Sequence, residues 1–123
     1  MMKVMIHLAL AGSSLMLASA PVQAQGTVKP QVVQVKLSEW TMGMANLTVK
    51  GVTEFDISNA GKYPHVFTIA GKVGGKDVMV SSTLLKAGEK TSMTISLPAG
   101  TYNVFCPIPG HAEQGMKSTL TIR

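Results

Sequence analysis

Short stretches in which apolar and polar residues alternate constrain the fold of this chain more than any other feature. Within 33–37 every second residue is valine or leucine, and this period of two indicates a strand with one buried face. The pattern recurs at 55–57, 93–97 and 120–122. No segment keeps the 3.6-residue period of a helix over a useful length. The sequence therefore predicts an all-β domain, a Greek-key β-sandwich with antiparallel or mixed strands, with a barrel as the alternative.

Glycine, proline and small polar residues mark the connections between these strands. The predicted connections are turns at 59–62, 87–89 and 98–100 and a loop at 71–77. The further predicted elements are a continuation of the first strand through 38–40, a short strand at 47–50, a strand at 66–70 directly after His65, and a segment at 78–85 that is either a strand or irregular structure covering one end of the sandwich.

Residues 1–24 have the organisation of a secretory signal peptide. Lys3 supplies a short positive region, residues 6–20 are largely apolar, and residues 22–24 place small side chains at the expected cleavage positions. Cleavage after Ala20 is the alternative, and we disfavour it because proline would then follow the cut directly. The sequence thus predicts cleavage after residue 24.

An uncleaved membrane anchor is the other interpretation of this segment. A bilayer span needs about 20 consecutive apolar residues, and the apolar run here is shorter. We therefore expect residues 25–123 to form a single domain that is periplasmic or otherwise extracytoplasmic. We expect no stable membrane insertion after cleavage.

The positive charges of the chain do not form the clustered pattern that is typical of a nucleic-acid-binding surface. The formal net charge is +5, but the lysines and arginine are scattered singly and no aromatic residues interleave with a basic run. A nucleic-acid-binding surface would present clustered basic residues, so we expect no nucleic-acid partner. The charge instead favours partners with acidic docking surfaces.

Cys106 is the only cysteine of a chain predicted to be exported. It cannot form an internal disulfide, so it pairs between chains, stays free or binds a metal. An unprotected thiol outside the cytosol is prone to oxidation. Binding to a metal would remove that hazard.

Cys106, His111 and Met116 follow one another at equal intervals, with four residues in each gap. Thiolate, imidazole and thioether are ligands of a trigonal copper centre with a weak axial bond, which also needs a second imidazole. His65 is the available candidate, because His7 lies in the predicted signal peptide. Taken singly, each of these residues is more often structural, a hydrogen-bonded histidine or a core filler. Their shared spacing at strand ends predicts a copper site.

Two blocks of the sequence, 52–67 and 100–116, resemble the cupredoxin family of small type 1 blue-copper proteins, the plastocyanin, azurin and auracyanin type. With the flanking strands, the resemblance covers nearly all of 31–123. The two four-residue gaps are most similar to the auracyanin spacing, since plastocyanins have a shorter first gap and azurins a shorter second one. The resemblance implies a cupredoxin-like sandwich that holds one type 1 copper per chain.

The resemblance also implies a role for each candidate ligand. His65, Cys106 and His111 would be equatorial ligands, and Met116 would be the axial ligand. The expected function is one-electron transfer between Cu(II) and Cu(I), without catalysis of a substrate reaction.

The resemblance further suggests that the ring edge of His111 reaches the surface within an apolar patch. The residues expected to surround it are Pro107, Ile108, Pro109 and Ala112. Such a patch suits brief docking, because redox encounters use small interfaces. The expected partners are a cytochrome, a membrane oxidase or reductase, or a copper enzyme, and the carrier is expected to be a monomer.

Three other functions remain open at this point. Met42 and Met44 are compatible with a periplasmic copper carrier or storage protein, because thioethers are suitable ligands for Cu(I). Cys106 and His111 could instead form a nucleophile–base pair of an enzyme, although no third orienting group is evident. A metal-free sandwich module is the last alternative, and it would make the ligand spacing a coincidence.

Overall fold

The computed structural model of the protein describes residues 29–123. The predicted signal peptide and its cleavage site lie outside this range. Residues 29–123 contain no helix, and so none with the length and apolar character that a membrane crossing requires.

Eight strands arranged in two sheets make up the described domain, which confirms the all-β prediction. They are β1 (Gln31–Leu37), β2 (Leu47–Val49), β3 (Thr53–Asn59), β4 (Thr68–Val73), β5 (Lys76–Ser81), β6 (Lys90–Ile95), β7 (Gly100–Phe105) and β8 (Lys117–Ile122). One sheet has the order β1-β3-β6 and the other β2-β8-β7-β4-β5. The sheets are mixed, because β1 pairs with β3 and β2 with β8 in parallel, while the remaining pairs are antiparallel.

The alternating residues pack into one core between the sheets. On β3 every second residue is buried, among them Phe55 and Ile57, as the period of two requires. The ring of Phe55 lies 5.2 Å from that of Phe67, which directly precedes β4 in the other sheet. Burial of such side chains is the main force that holds the two sheets together.

The predicted loop at 71–77 is wrong, since these residues are the turn and the adjoining strand ends of the β-hairpin that β4 and β5 form. Its turn needs only Gly74 and Gly75, whose φ angles of 58° and 79° belong to the left-handed region. Gly71, the remaining glycine of this segment, has a different role. A Cβ on Gly71 would lie 2.6 Å from Cδ1 of Tyr102, so this strand position admits no side chain beneath the tyrosine ring.

The first strand does not continue through 38–40. It ends at Leu37, and the chain reverses so that Ser38 and Thr41 exchange backbone hydrogen bonds of 2.8 and 3.3 Å. This tight reversal turns Glu39 and Trp40 toward one end of the sandwich, where both contact the loops described below.

Two further predicted boundaries differ from the structure. The strand expected at 66–70 begins only at Thr68, and His65 forms an isolated β-bridge with Leu85. The ambiguous segment 78–85 is part strand and part irregular, because β5 ends at Ser81. His65 is therefore fixed by one short bridge and by side-chain contacts, rather than by a continuous strand.

Candidate metal centre

Three of the four predicted ligands converge at one end of the sandwich. The ligating atoms of His65, Cys106 and His111 all lie within 4.8 Å of one another. Nδ1 of His65 is 3.2 Å from Nδ1 of His111, and Sγ of Cys106 is 3.5 Å from the same His111 atom. Residues far apart in sequence thus place two imidazole nitrogens and a sulfur around one point.

Met116 is brought to Cys106 by the pairing of β7 with β8. Cys106 directly follows β7 and Met116 directly precedes β8, and the last pair of that ladder is Phe105 with Lys117. The amide of Cys106 donates a hydrogen bond of 3.1 Å to the carbonyl oxygen of Met116. Both side chains are completely buried.

His111 lies in a loop built from consecutive turns between Cys106 and Met116. Its amide donates to the carbonyl oxygen of Ile108 at 3.0 Å, and its own carbonyl oxygen accepts from the amide of Met116 at 3.1 Å. The loop is therefore tied by hydrogen bonds on both sides of the histidine. His111 is half-buried, unlike the other three residues.

A buried asparagine fixes the segment that carries His65. The side-chain amide of Asn59 donates to the carbonyl oxygens of Tyr63, at 2.8 Å, and Leu85, at 2.9 Å. Its Oδ1 accepts the amide of Gly61 at 2.8 Å. His65 and Leu85 also exchange backbone hydrogen bonds of 2.9 and 3.0 Å. Asn59 thus holds both Tyr63, two residues before the histidine, and Leu85, its bridge partner.

Glu39 contacts His65 directly, and no pattern in the sequence indicates this contact. Its Oε1 accepts hydrogen bonds from the amides of Lys62 and Tyr63, both at 2.8 Å, and lies 3.1 Å from Nε2 of His65. Backbone hydrogen bonds, first of all that from Tyr63, lower the pKa of the Glu39 carboxyl from its usual 4.5 to about 2, against the opposing effect of burial. The carboxylate therefore remains ionised at neutral pH.

Trp40 covers His111 and was also missed by the sequence argument. Their ring centroids are 4.9 Å apart at an interplanar angle of 71°, an edge-on contact. Trp40 also stacks with Tyr63, with ring centroids 6.0 Å apart and an interplanar angle of 15°. Burial, followed by repulsion from His65, lowers the pKa of His111 below its usual 6.5. The lowered pKa favours the neutral imidazole, the form that binds metals.

The donor set fits a copper ion. Two imidazoles and a cysteine sulfur with a nearby methionine are the combination that copper selects in trigonal sites. Met42 and Met44, the two methionines that suggested copper storage, pack with the hydrophobic core. Met42 is buried in the core at 1% exposure, and Met44 is partly buried against the same core.

Comparison with known families identifies one match over most of the chain. Residues 31–123 match the family described as copper binding proteins, plastocyanin/azurin family. Among curated proteins, auracyanin-B of Chloroflexus aurantiacus is 50% identical over 42 residues. That alignment spans 33% of this chain and 18% of the relative, so it covers only a small part of that protein.

Solved structures support the fold. An auracyanin B structure superimposes with a TM-score of 0.66 at 23% identity, covering 77% of this chain and 91% of that one. The reduced auracyanin of Roseiflexus castenholzii gives 0.66 at 16% identity, with 76% and 97% covered. Rusticyanin of Thiobacillus ferrooxidans gives 0.57 at 22% identity, with 77% and 79% covered. At these identities the similarity establishes the shared sandwich fold.

Proposed function

Because this chain belongs to the plastocyanin/azurin family of copper-binding proteins, we propose that it is a type 1 blue-copper protein that carries single electrons between extracytoplasmic redox partners. Its cofactor is copper, which supplies a Cu(II)/Cu(I) couple when bound. We propose His65, Cys106 and His111 as the equatorial ligands and Met116 as the axial ligand.

The convergence of three donor atoms within 4.8 Å carries this proposal. The donors come from two separate segments, and hydrogen bonds hold each segment before any metal is added. Cys106 and Met116 are joined through their backbones, and Asn59 fixes the neighbours of His65. Ligands held in this way have little freedom to move when the oxidation state changes, and similar geometry in both states favours fast electron transfer.

The burial pattern supports exchange of electrons at His111. His65, Cys106 and Met116 are fully buried, which excludes water, whereas His111 is half-buried. Beside it Pro107 and Pro109 are exposed, and Ile108 and Ala112 are half-buried, the apolar surroundings expected of a small docking patch.

The partners follow from this surface and its charge. A cytochrome, a membrane oxidase or reductase, or a copper enzyme would dock briefly near His111. Lys62, three residues before His65, and Lys117, directly after Met116, are both exposed, so they would attract an acidic docking surface. The carrier would act as a monomer in the periplasm, or otherwise outside the cytoplasm.

Catalysis by a nucleophilic cysteine is disfavoured by burial. Cys106 Sγ and His111 Nδ1 are 3.5 Å apart, which resembles a nucleophile–base pair. The cysteine is completely buried, however, so no substrate could reach its sulfur without rearrangement of the site. We therefore propose an electron carrier and not an enzyme.

Voltammetry combined with metal retention tests the proposal. The copper-loaded protein is cycled on an electrode, and its copper content is measured before and after cycling in the presence of a copper chelator. We expect a reversible one-electron wave and unchanged copper content. An irreversible wave, or steady transfer of copper to the chelator, would instead support copper delivery or storage.

A further inference from the structure

One oxygen of Glu39 collects donors from the segment that carries His65. Oε1 accepts from two successive amides, those of Lys62 and Tyr63, and meets Nε2 of His65 at 3.1 Å. The His65 side chain is fully buried and that of Glu39 is 23% exposed. The buried ring thus meets an ionised group at the edge that points away from His111.

The backbone is shaped to admit this carboxylate. A Cβ on Gly61 would lie 2.4 Å from Oε1 and 2.5 Å from Oε2, so any side chain there would displace the acid. The amide of Gly61 is itself fixed by Asn59 at 2.8 Å. The carboxylate therefore occupies a formed site and is not a surface charge that happens to lie close.

The chemistry of the hydrogen bond assigns the tautomer of His65. An ionised carboxylate only accepts hydrogen bonds, so the proton of the contact belongs to Nε2. A neutral imidazole carries one N–H, which leaves Nδ1 unprotonated. Nδ1 is the atom that lies 3.2 Å from Nδ1 of His111.

We propose that Glu39 is a positioning residue of the metal centre, which keeps the proton of His65 on Nε2 and presents an unprotonated Nδ1 to copper. The inference rests on the proposed function in taking His65 as a ligand. Carboxylates that accept from a metal-binding histidine orient the ring and increase its basicity, and their loss typically weakens metal binding by about 10- to 100-fold.

The first test needs no copper. Long-range ¹H–¹⁵N NMR of the metal-free protein at neutral pH reports which nitrogen of His65 carries the proton. We expect Nε2–H alone in the wild type and in Glu39→Gln, because the glutamine oxygen still accepts. We expect a mixture of tautomers in Glu39→Ala and also in Gly61→Ala, which keeps the charge but displaces the carboxylate. A single Nε2–H tautomer in both alanine variants would overturn the proposal.

The second test measures copper affinity by competition with a chelator. We expect losses of about 10- to 100-fold for Glu39→Ala and Gly61→Ala and a smaller loss for Glu39→Gln. Glu113→Gln is the matched control, because Glu113 is an exposed acid only two residues from His111. An equal effect in the control would mean that Glu39 acts through its charge alone, which contradicts a positioning role.

These tests separate the two levels of the argument. A wild-type protein that fails to bind copper would refute the proposed function, whatever its tautomer. Copper binding that is normal in both the wild type and Glu39→Ala would refute the role of Glu39 alone. If Glu39→Ala does not fold, as judged by circular dichroism, Gly61→Ala and Glu39→Gln still decide the question.

Discussion

The amide N–H of Cys106 donates a hydrogen bond to the carbonyl oxygen of Met116 over 3.1 Å, so the loop between them closes at its base. The contact extends the β7–β8 ladder by one step beyond Phe105 and Lys117. Two residues separated in sequence by a histidine-bearing loop are thereby held at one buried position. The relative placement of the proposed thiolate and thioether is a property of the sheet.

Met116→Leu tests the proposed axial role. Leucine has a similar volume, so the buried site should lose less than about 1.5 kcal/mol of stability. The variant should keep copper and a blue colour, because the axial bond is weak, but its reduction potential should rise. The potential rises because the thioether donates electron density that stabilises the oxidised ion more than the reduced one.

Cyclic voltammetry of the variant against Met93→Leu checks this prediction. Met93 is partly buried on β6 in the other sheet and serves as a methionine control. Equal potentials in Met116→Leu and the wild type would argue against an axial thioether.

Asn59→Ala should destabilise the metal-free protein. The substitution removes the side-chain donor to the Tyr63 carbonyl oxygen and one of the two donors to that of Leu85, which keeps the His65 amide; a buried group that loses its partner costs about 1–3 kcal/mol. The free energy of unfolding in urea measures this loss. Asn46→Ala, at an exposed loop position, should stay within about 0.5 kcal/mol of the wild type. A loss at Asn59 as small as that at Asn46 would mean that the network does not hold the segment.

Acid should weaken the metal-free protein partly through Glu39. Its pKa is lowered from 4.5 to about 2, first by the hydrogen bond from Tyr63, so the unfolded chain takes up this proton at a higher pH than the folded one. The contribution is therefore fully present above about pH 4.5 and is lost as the pH falls through about 2. Glu39→Gln lacks this contribution at every pH.

Urea titrations of the wild type and Glu39→Gln across this pH range isolate the effect, since both share all other ionisable groups. The stability difference between them should shrink as the pH falls from about 4.5 toward 2. A difference that stays constant over this interval would contradict the lowered pKa.

The sequence predicted the parts of this structure that depend on local pattern. The alternation of apolar and polar residues located the strands that bury one face, as at β3, where every second residue is buried. Spacing singled out Cys106, His111 and Met116, and the structure places the first two at 3.5 Å and ties the third to Cys106 through the backbone.

The features that the sequence did not predict all depend on contacts between segments that are distant in the chain. Gly71 was interpreted as a loop residue, yet it pairs with Val78 within β4, and the Tyr102 ring leaves no room for a side chain there. Glu39 and Trp40 follow a strand by a tight reversal, and no periodicity indicates that they contact His65 and His111. Only the packing of the two sheets brings these residues to the site.

A visible absorption and EPR spectrum after addition of one equivalent of Cu(II) tests the central claim most directly. The wild-type protein should develop an intense thiolate-to-copper band and narrow hyperfine splitting, and Cys106→Ser should remain folded but lose that band. A wild type that stays pale, or a Cys106→Ser variant that keeps the blue band, would contradict the assignment of Cys106 as a copper ligand.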